Sequence, residues 1–344
     1  MNIGETRSIM RAQTYTSKSD CIGAVIIGRN EGQRLITCIK SLKQKVKNIV
    51  YVDSGSEDNS FNDAKMMGVE SIELDLGMPF TAARARNTGA LFLCQAYPDI
   101  KYIQFVDGDC EVQSDWINIA IDFLEHNSSY ATACGRRRER FPEKSIYNQL
   151  CDIEWNTSIG DTRSCGGDAL IRIEAFIQVG GYREDLIAGE EPEMCFRLRE
   201  KGWKIRRLDA EMTLHDAAMT NIRQWWNRAK RAGHAYAEGY YLHGRSKEKF
   251  RQKQVLSILV WGFFIPIMTL ILSLYNINYL ILFLLYPLQV LRLTANNQLN
   301  LATVSQAGYY SLSNVGSKFP QVAGVFKFIL NKLQDRRATL IEYK

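Results

Sequence analysis

The sequence predicts an α/β fold in which a mostly parallel sheet is flanked by helices and followed by a C-terminal hydrophobic helical hairpin. Three observations carry that expectation. Short β-branched runs alternate with amphipathic stretches through the first half, the pattern of parallel strands joined by helical crossovers. The runs end in polar loops, and in such sheets ligands bind at the carboxyl ends of the strands. From Val255 to Leu291 there is no charged residue.

The elements follow in order. Strands are read at CIGAVIIG (21–28), NIVYVD (48–53), VESIELD (69–75) and KYIQFVDGD (101–109). Between them, GQRLITCIKSLKQ, NSFNDAKMMG and TAARARNTGALFLCQAY read as helices. Composition agrees with a packed body: 344 residues, 46% hydrophobic and 23% charged, with 7 Pro against 24 Gly, exclude disordered, collagen-like and low-complexity classes. The 8 cysteines, at 21, 38, 94, 110, 134, 151, 165 and 195, include no CxxC pair. They read as reduced thiols in a cytoplasmic compartment, which argues against a disulfide scaffold and a Cys-rich zinc site.

The strand-end loops hold the chemistry: Arg29-Asn30-Glu31 after the first strand, Asp53-Ser54-Gly55-Ser56 after the second, Asp107-Gly108-Asp109 after the fourth. Acidic residues stand where a dinucleotide fold or a P-loop places glycines and a lysine, and neither GxGxxG nor GxxxxGK[ST] occurs. Two carboxylates two residues apart on a tight turn can point into one cleft, where a divalent cation would bridge them to a diphosphate. Alone the pair is a weak signal; its position after a buried-looking strand, level with two other acidic loops, strengthens it.

The uncharged stretch reads as a hairpin with helices at about Val255 to Leu274 and Tyr279 to Leu293 and a turn near Asn276. VLSILVWGFFIPIMTLILSL alone would cover about 30 Å, roughly one hydrocarbon core. Three readings stay open, a spanning hairpin, one lying in the interface and a soluble buried one, because the second run is short and contains Pro287. Lys247, Lys249, Arg251 and Lys253 before it and Arg292 after it place both ends on the cytoplasmic side. The polar first twenty residues lack an apolar core for a signal peptide, so the body is expected in the cytosol. Of the net charge of +6, the segment from Lys318 to Lys344 carries an excess of four, six basic residues against two acidic. No nucleic-acid motif accompanies this tail, and a membrane surface is the expected partner rather than nucleic acid. The division expected is a polar N-terminal extension (1–20), a catalytic domain (21–245), a membrane-associated hairpin and linker (246–317) and a basic amphipathic tail (318–344).

GRNEG, VDSGSEDNS, ARARNTG, FVDGDCE, GGDALIR and GEEPEMCFRLREKGWKI, in this order and spacing, resemble the family 2 glycosyltransferases of the GT-A fold over about residues 21 to 235. The resemblance implies a nucleotide-binding sheet and transfer of a sugar, with inversion, from a UDP- or GDP-sugar donor with a divalent metal, Mn²⁺ or Mg²⁺. It implies that Glu31 and Asp53 contact base and ribose, that Asp107 lines the donor site beside Arg29, and that Arg86 and Asn87 form a donor-site pair. It makes Asp109 a metal ligand and His215 a further one; a hydrogen-bonding histidine beside Asp216 is the alternative for His215. Asp168 corresponds to an acceptor-side position.

Independently of the family, breaking a sugar–diphosphate bond needs charge stabilised on the leaving group and a proton removed from the attacking hydroxyl. A carboxylate is the natural base. The segment AGEEPEMCFRLREKGW starts a helix with Pro192 in its first turn, which puts Glu190 and Glu191 at the cleft. The resemblance points to Glu191, where the family usually carries Asp, and Glu190 stays an alternative; acids that merely complement the helix dipole are the bland reading. In NIRQWWNRAKRAGHAYAEGY, Trp225, Trp226, Arg228 and Arg231 form either an acceptor and diphosphate platform or an interfacial helix. The cluster Arg136, Arg137, Arg138 and Arg140 could meet an anionic substrate or form a salt-bridged face.

The expectation is therefore a membrane-associated, metal-dependent inverting glycosyltransferase of hexosyltransferase type, non-processive, using a lipid-linked or polysaccharide acceptor. The rivals are a sugar nucleotidyltransferase, which would need a glycine-rich loop after the first strand, and a non-catalytic nucleotide-sugar-binding scaffold, which would have lost Asp109 or both glutamates.

Overall fold

The computed structural model describes residues 20–75, 77–297 and 303–336; residues 1–19 of the expected extension, and Arg337 and Lys344 of the basic tail, lie outside the described residues. The strands are β1 (Ile22–Gly28), β2 (Asn48–Asp53), β3 (Glu70–Glu73), β4 (Tyr102–Asp107), β5 (Cys110–Val112), β6 (Tyr130–Glu139), β7 (Gly160–Asp161), β8 (Ala169–Arg172) and β9 (Lys204–His215). The helices of the body are α1 (Gln33–Lys43), α2 (Ser60–Met66), α3 (Ala82–Ala96), α4 (Trp116–His126), α5 (Ile146–Trp155), α6 (Ile173–Gln178), α7 (Glu190–Glu200) and α8 (Ile222–His243). One sheet runs β3-β2-β1-β4-β8-β6-β9-β5, with β7 pairing on β9.

β1 to β4 pair in parallel, as the alternation of runs predicts. The apolar side chains of β1, β2 and β4 are buried on both faces, since helices cover the sheet on each side, while the edge strand β3 is only half-covered. The remaining sheet is mixed. β8 lies antiparallel to β4 and β6, and β5 antiparallel to β9. Only Gly108 and Asp109 separate β4 from β5, which leaves its predecessor and pairs with β9 instead. The acidic turn therefore lies at the carboxyl end of β4.

The hairpin is present as Gln252–Tyr275 and Ile277–Asn297, both long and apolar enough to cross a membrane. Of their apolar windows 17% and 0% are buried, so neither is a core helix of the body. Asn276 breaks the path in an extended conformation and its side chain accepts the Asn278 N–H at 2.9 Å. A π-helical turn at Val260–Phe264 precedes Pro266, whose ring cannot supply an N–H to a regular helix.

The segment expected as a linker contains a helix, Val304–Gly316, capped by Thr303 through the Gln306 N–H and burying Ala307, Ser311 and Val315 at four-residue spacing. The small, polar character of this face hides its amphipathicity. The last helix, Lys318–Leu333, crosses α8 at two glycines. A Cβ on Gly324 would lie 2.0 Å from the Lys230 carbonyl oxygen, and one on Gly233 would lie 2.1 Å from that of Gln321. The backbones therefore touch.

At this crossing His234 is fully buried, edge-on to Phe328, with Nδ1 3.5 Å from Glu238 Oε2. Burial, then Lys327, pulls His234 down to about 4. Burial, then Asp185, pushes Glu238 up to about 7 against Arg183 and Lys332. The two contributions to stability oppose each other. A depressed histidine favours the unfolded state as pH falls from 6.5 towards about 4. A raised glutamate loses its contribution as pH rises from 4.5 towards about 7. Urea midpoints of the detergent-solubilised protein should show this: Glu238→Gln leaves stability rising with pH over the histidine window, and His234→Gln leaves it falling over the glutamate window. Parallel pH profiles in the two variants would contradict the assignment. Gly324→Leu should lower the thermal midpoint by the equivalent of about 1–3 kcal/mol through overpacking.

Candidate active site

The site is built at the carboxyl ends of β1 and β4. Asp107 ends β4, and the next residue, Gly108, donates its N–H to the Ile27 carbonyl at 2.8 Å, which fixes the turn against β1. The β5–β9 register sets Cys110 opposite His215. This brings His215 Nε2 to 3.3 Å from Asp109 Oδ1. Asp107, Asp109, Cys110 and His215 hold their ligand atoms within 4.8 Å of one another. Burial, then Asp168, raises the Cys110 thiol well above its ordinary range, which leaves two carboxylates and an imidazole as the available donors. That hard oxygen and nitrogen set fits Mn²⁺ or Mg²⁺. Trp155 packs edge-on to His215 at 4.6 Å and fixes its ring.

Behind the turn lies a buried ion network. Arg86 of α3, 3% exposed, donates to Asp107 Oδ1 at 2.8 Å and to Glu190 Oε1 at 2.7 Å. Arg137 of β6 reaches Asp107 Oδ2 at 3.2 Å and Asp168 Oδ2 at 2.7 Å. Burial works against the charge on Asp107, but Arg86 and Arg137 outweigh it and hold its carboxyl below the usual range. Gly167 closes over this network: a Cβ there would lie 2.9 Å from Asp107 Oδ2 and 3.0 Å from Arg86 Nη2. A side chain there would press on both ions.

α7 begins at the same edge with Glu190 and Glu191. Glu190 is committed to Arg86. Glu191 is held by neutral donors, the Cys165 N–H at 2.5 Å and the Cys195 thiol at 3.0 Å, both on its Oε1. The two thiols are 3.5 Å apart.

Two cavities meet here. One, about 590 Å³, is lined by Arg29, Glu31, Asp107, Asp109 and His215; the other, about 670 Å³, by Arg86, Glu190, Glu191 and Trp225. Asp107, Arg137, Arg228 and Arg231 line both. Arg29 packs over the Phe80 ring at 5.2 Å and Glu31 pairs with Arg34 at 2.9 Å.

Four expected site residues lie elsewhere. Asp53 is 1% exposed, its carboxylate accepts from Tyr51, Gly55 and Ser56 and shapes its own loop, and it lines neither cavity. Asn87, one residue round α3 from Arg86, clamps the backbone of Tyr182 with its Oδ1 and Nδ2 and lines neither cavity. Asp168 is fully buried among Arg137, Thr213 and the Asp107 N–H and lines neither cavity. Trp226 is 44% exposed and lines neither cavity, while Trp225 donates to Ser313 at 2.9 Å and docks the helix Val304–Gly316. The arginine cluster divides by strand alternation. Arg137 faces the cleft, whereas Arg136, Arg138 and Arg140 pair with Asp152, Glu211 and Glu111. That period of two was the signal available in GRRRERF for singling out Arg137. Trp155 and Cys195 carried no such signal.

Comparison with known proteins agrees with this geometry. Residues 24–180 match the family described as glycosyl transferase family 2, and residues 107–295 the glycosyl transferase family group 2. The chain is 23% identical over 259 residues to the succinoglycan biosynthesis protein ExoA of Rhizobium meliloti (strain 1021), covering 70% of this chain and 72% of that one. Among solved structures it is similar to the mannosyltransferase PcManGT from Pyrobaculum calidifontis in complex with GDP-Man and Mn²⁺. The TM-score is 0.55 at 12% identity, over 91% of this chain and 88% of the other. Glucosyl-3-phosphoglycerate synthase from Mycobacterium tuberculosis, in complex with Mn²⁺ and UDP-Glc, gives 0.46 at 14% identity over 63% and 78%. A mixed sheet flanked by helices, with an acidic turn at its edge, defines the class as a GT-A glycosyltransferase. The chain belongs to the family 2 glycosyltransferases.

Removing Arg86 leaves Glu190 without its cation and Asp107 with Arg137 alone. Arg86→Gln is expected to cost about 3–5 kcal/mol, read as a lowered urea midpoint. Arg86→Lys, which keeps the charge without the fork, should fall between it and wild type.

Proposed function

We propose that this enzyme moves a hexosyl unit, with inversion, from a UDP- or GDP-sugar to a lipid-linked or polysaccharide acceptor at the cytoplasmic face of a membrane, and that the reaction depends on a divalent metal. The observation that carries the reading is the seam between the two cavities. The donor-side space contains Asp109 and His215, the acceptor-side space contains Glu190 and Glu191, and they join at Asp107 and Arg137. A bond broken at that seam has its leaving group on one side and the attacking hydroxyl on the other.

Glu191 is the better base of the two glutamates. Glu190 is already engaged in an ion pair with Arg86, while Glu191 meets only neutral donors in its described contacts. It takes the proton of the acceptor hydroxyl as that oxygen attacks the anomeric carbon opposite the diphosphate. Arg228 and Arg231, lining both spaces, are placed to neutralise the departing phosphates. Asp107, Asp109 and His215 would hold the metal, which when bound supplies charge stabilisation to the diphosphate.

Membrane association is supported by the exposed apolar helices Gln252–Tyr275 and Ile277–Asn297. The basic residues Lys247, Lys249, Lys253 and Arg292 at their ends favour the cytoplasmic orientation. Outward apolar residues such as Phe319, Ile329, Leu330 and Leu333, alternating with Lys327 and Lys332, let the last helix lie on a lipid surface.

The test is donor turnover by the solubilised enzyme across UDP-, GDP- and dTDP-sugars with Mn²⁺, Mg²⁺ or EDTA. One donor should be hydrolysed slowly, and only with metal. Asp109→Ala should lose this activity by at least about 10²-fold, while Glu191→Gln should bind donor with unchanged affinity and lose transfer by about 10²–10⁴-fold. Equal donor turnover in EDTA would refute the metal requirement, and full transfer by Glu191→Gln would return the base assignment to Glu190.

A further inference from the structure

The acceptor-side cavity does not end at the reaction centre. Glu154 of α5 and Tyr310 of the helix Val304–Gly316 form part of its wall, and both residues also line a distal chamber of about 890 Å³. Glu154 is held in place by Arg228, Nη1 to Oε2 at 2.7 Å, and Arg228 itself borders the donor side. One ion pair thus stands where all three spaces approach one another.

The chamber lies against β6 and β9 and opens past the exposed loop 156–159. Its walls carry Arg136, Arg138 and Arg207 against Glu154, Asp209 and Glu211. Three cations facing three anions give no net charge, which is a poor match for a phosphate or a nucleic acid. It is a good match for hydroxyl groups, each of which both donates and accepts a hydrogen bond. Arg136 and Arg138 are committed to Asp152 and Glu211. Arg207 is different: it is 4% exposed, Nη1 donates to the Leu208 carbonyl at 2.8 Å, it feels the charge of Glu211 without a direct ion pair, and its Nε has no protein acceptor. A buried donor on a polar chamber wall calls for an oxygen from a ligand or a water. Tyr310, half-buried at the passage between the spaces, offers an apolar body with a polar tip, suited to the mixed surface of a sugar ring.

Resting on the transferase reading above, we propose that the distal chamber is a saccharide subsite and that the acceptor is an oligosaccharide. Its terminal sugar lies at Glu190 and Glu191, and the sugars behind it pass Tyr310 and contact Arg207. The chamber then selects acceptor length, while the cleft performs the transfer.

The experiment compares disaccharide and pentasaccharide acceptors of gluco-, galacto- and manno-series, each with an octyl aglycone, on the full-length solubilised enzyme with the donor it hydrolyses. In at least one series the wild type should show a KM about tenfold lower for the pentasaccharide, the gain of one or two added hydrogen bonds. Asn156→Trp and Ser158→Trp, two independent plugs at the exposed mouth, should each abolish that gain while the disaccharide KM and the kcat stay as in wild type. A wild type without length dependence, or with no acceptor in any series while it still hydrolyses donor, overturns the subsite. So does a length gain that survives both plugs. Failure of donor hydrolysis itself would instead strike at the transferase reading, so the two failures are distinguishable.

Discussion

The cleft depends on the guanidinium of Arg86 being buried between two carboxylates that are far apart in the sequence. Asp107 arrives on a central strand and Glu190 on the first turn of α7, 83 residues later in the chain. A cation with that little solvent has to be fully paired, because an unpaired buried charge costs several kcal/mol. Its pairing therefore fixes where α7 begins relative to the sheet. Arg137 repeats the arrangement between Asp107 and Asp168. With both arginines in place the carboxylates cannot drift, and the turn carrying Asp109 inherits their rigidity.

The charge balance of this network has a chemical consequence. Counting Asp107, Asp109, Asp168 and Glu190 as ionised against Arg86 and Arg137 leaves two negative charges in a poorly solvated place. On the reading proposed above, a divalent cation would cancel that excess, and a diphosphate arriving with it would meet Arg228 and Arg231, which line both cavities. Donor and metal would then each make the other's burial cheaper.

What could be read from the chain and what could not divides along sequence distance. β1 to β4 and their helices come from local patterning, and their observed bounds differ from the reading by only a few residues. The six ordered motifs located the cleft. What local patterning could not show is of another kind: neighbours in sequence that part company in space. Arg86 and Asn87 are adjacent, yet a helix turns about 100° per residue, so one enters the cleft and the other clamps a loop. Asp53 and Asp168 belong to motifs at the site but are oriented by bonds within their own loops or beneath the cleft floor, and such bonds have no one-dimensional signature. The contact of Glu191 with Cys165 spans 26 residues and that of Trp225 with Ser313 spans 88. Only tertiary packing brings them together.

α8 makes the body and the C-terminal helices one mechanical unit. Its first turns supply Trp225, Arg228 and Arg231 to the cleft, and its middle is pressed backbone to backbone on the helix Lys318–Leu333 through Gly233 and Gly324. Glycine contacts of this closeness leave no room for sliding. The first apolar helix is tied to the same element, since a Cβ on Gly262 would lie 2.5 Å from the Lys318 carbonyl oxygen. The height and tilt of the apolar helices therefore set the height and tilt of the cleft. On the reading proposed above, a carrier lipid diffusing in the membrane would meet the cleft at a fixed level, and the walls contributed by Tyr310, Ser313 and Asn314 exist only because these helices are docked. The apolar segment is then part of the acceptor site as well as an anchor.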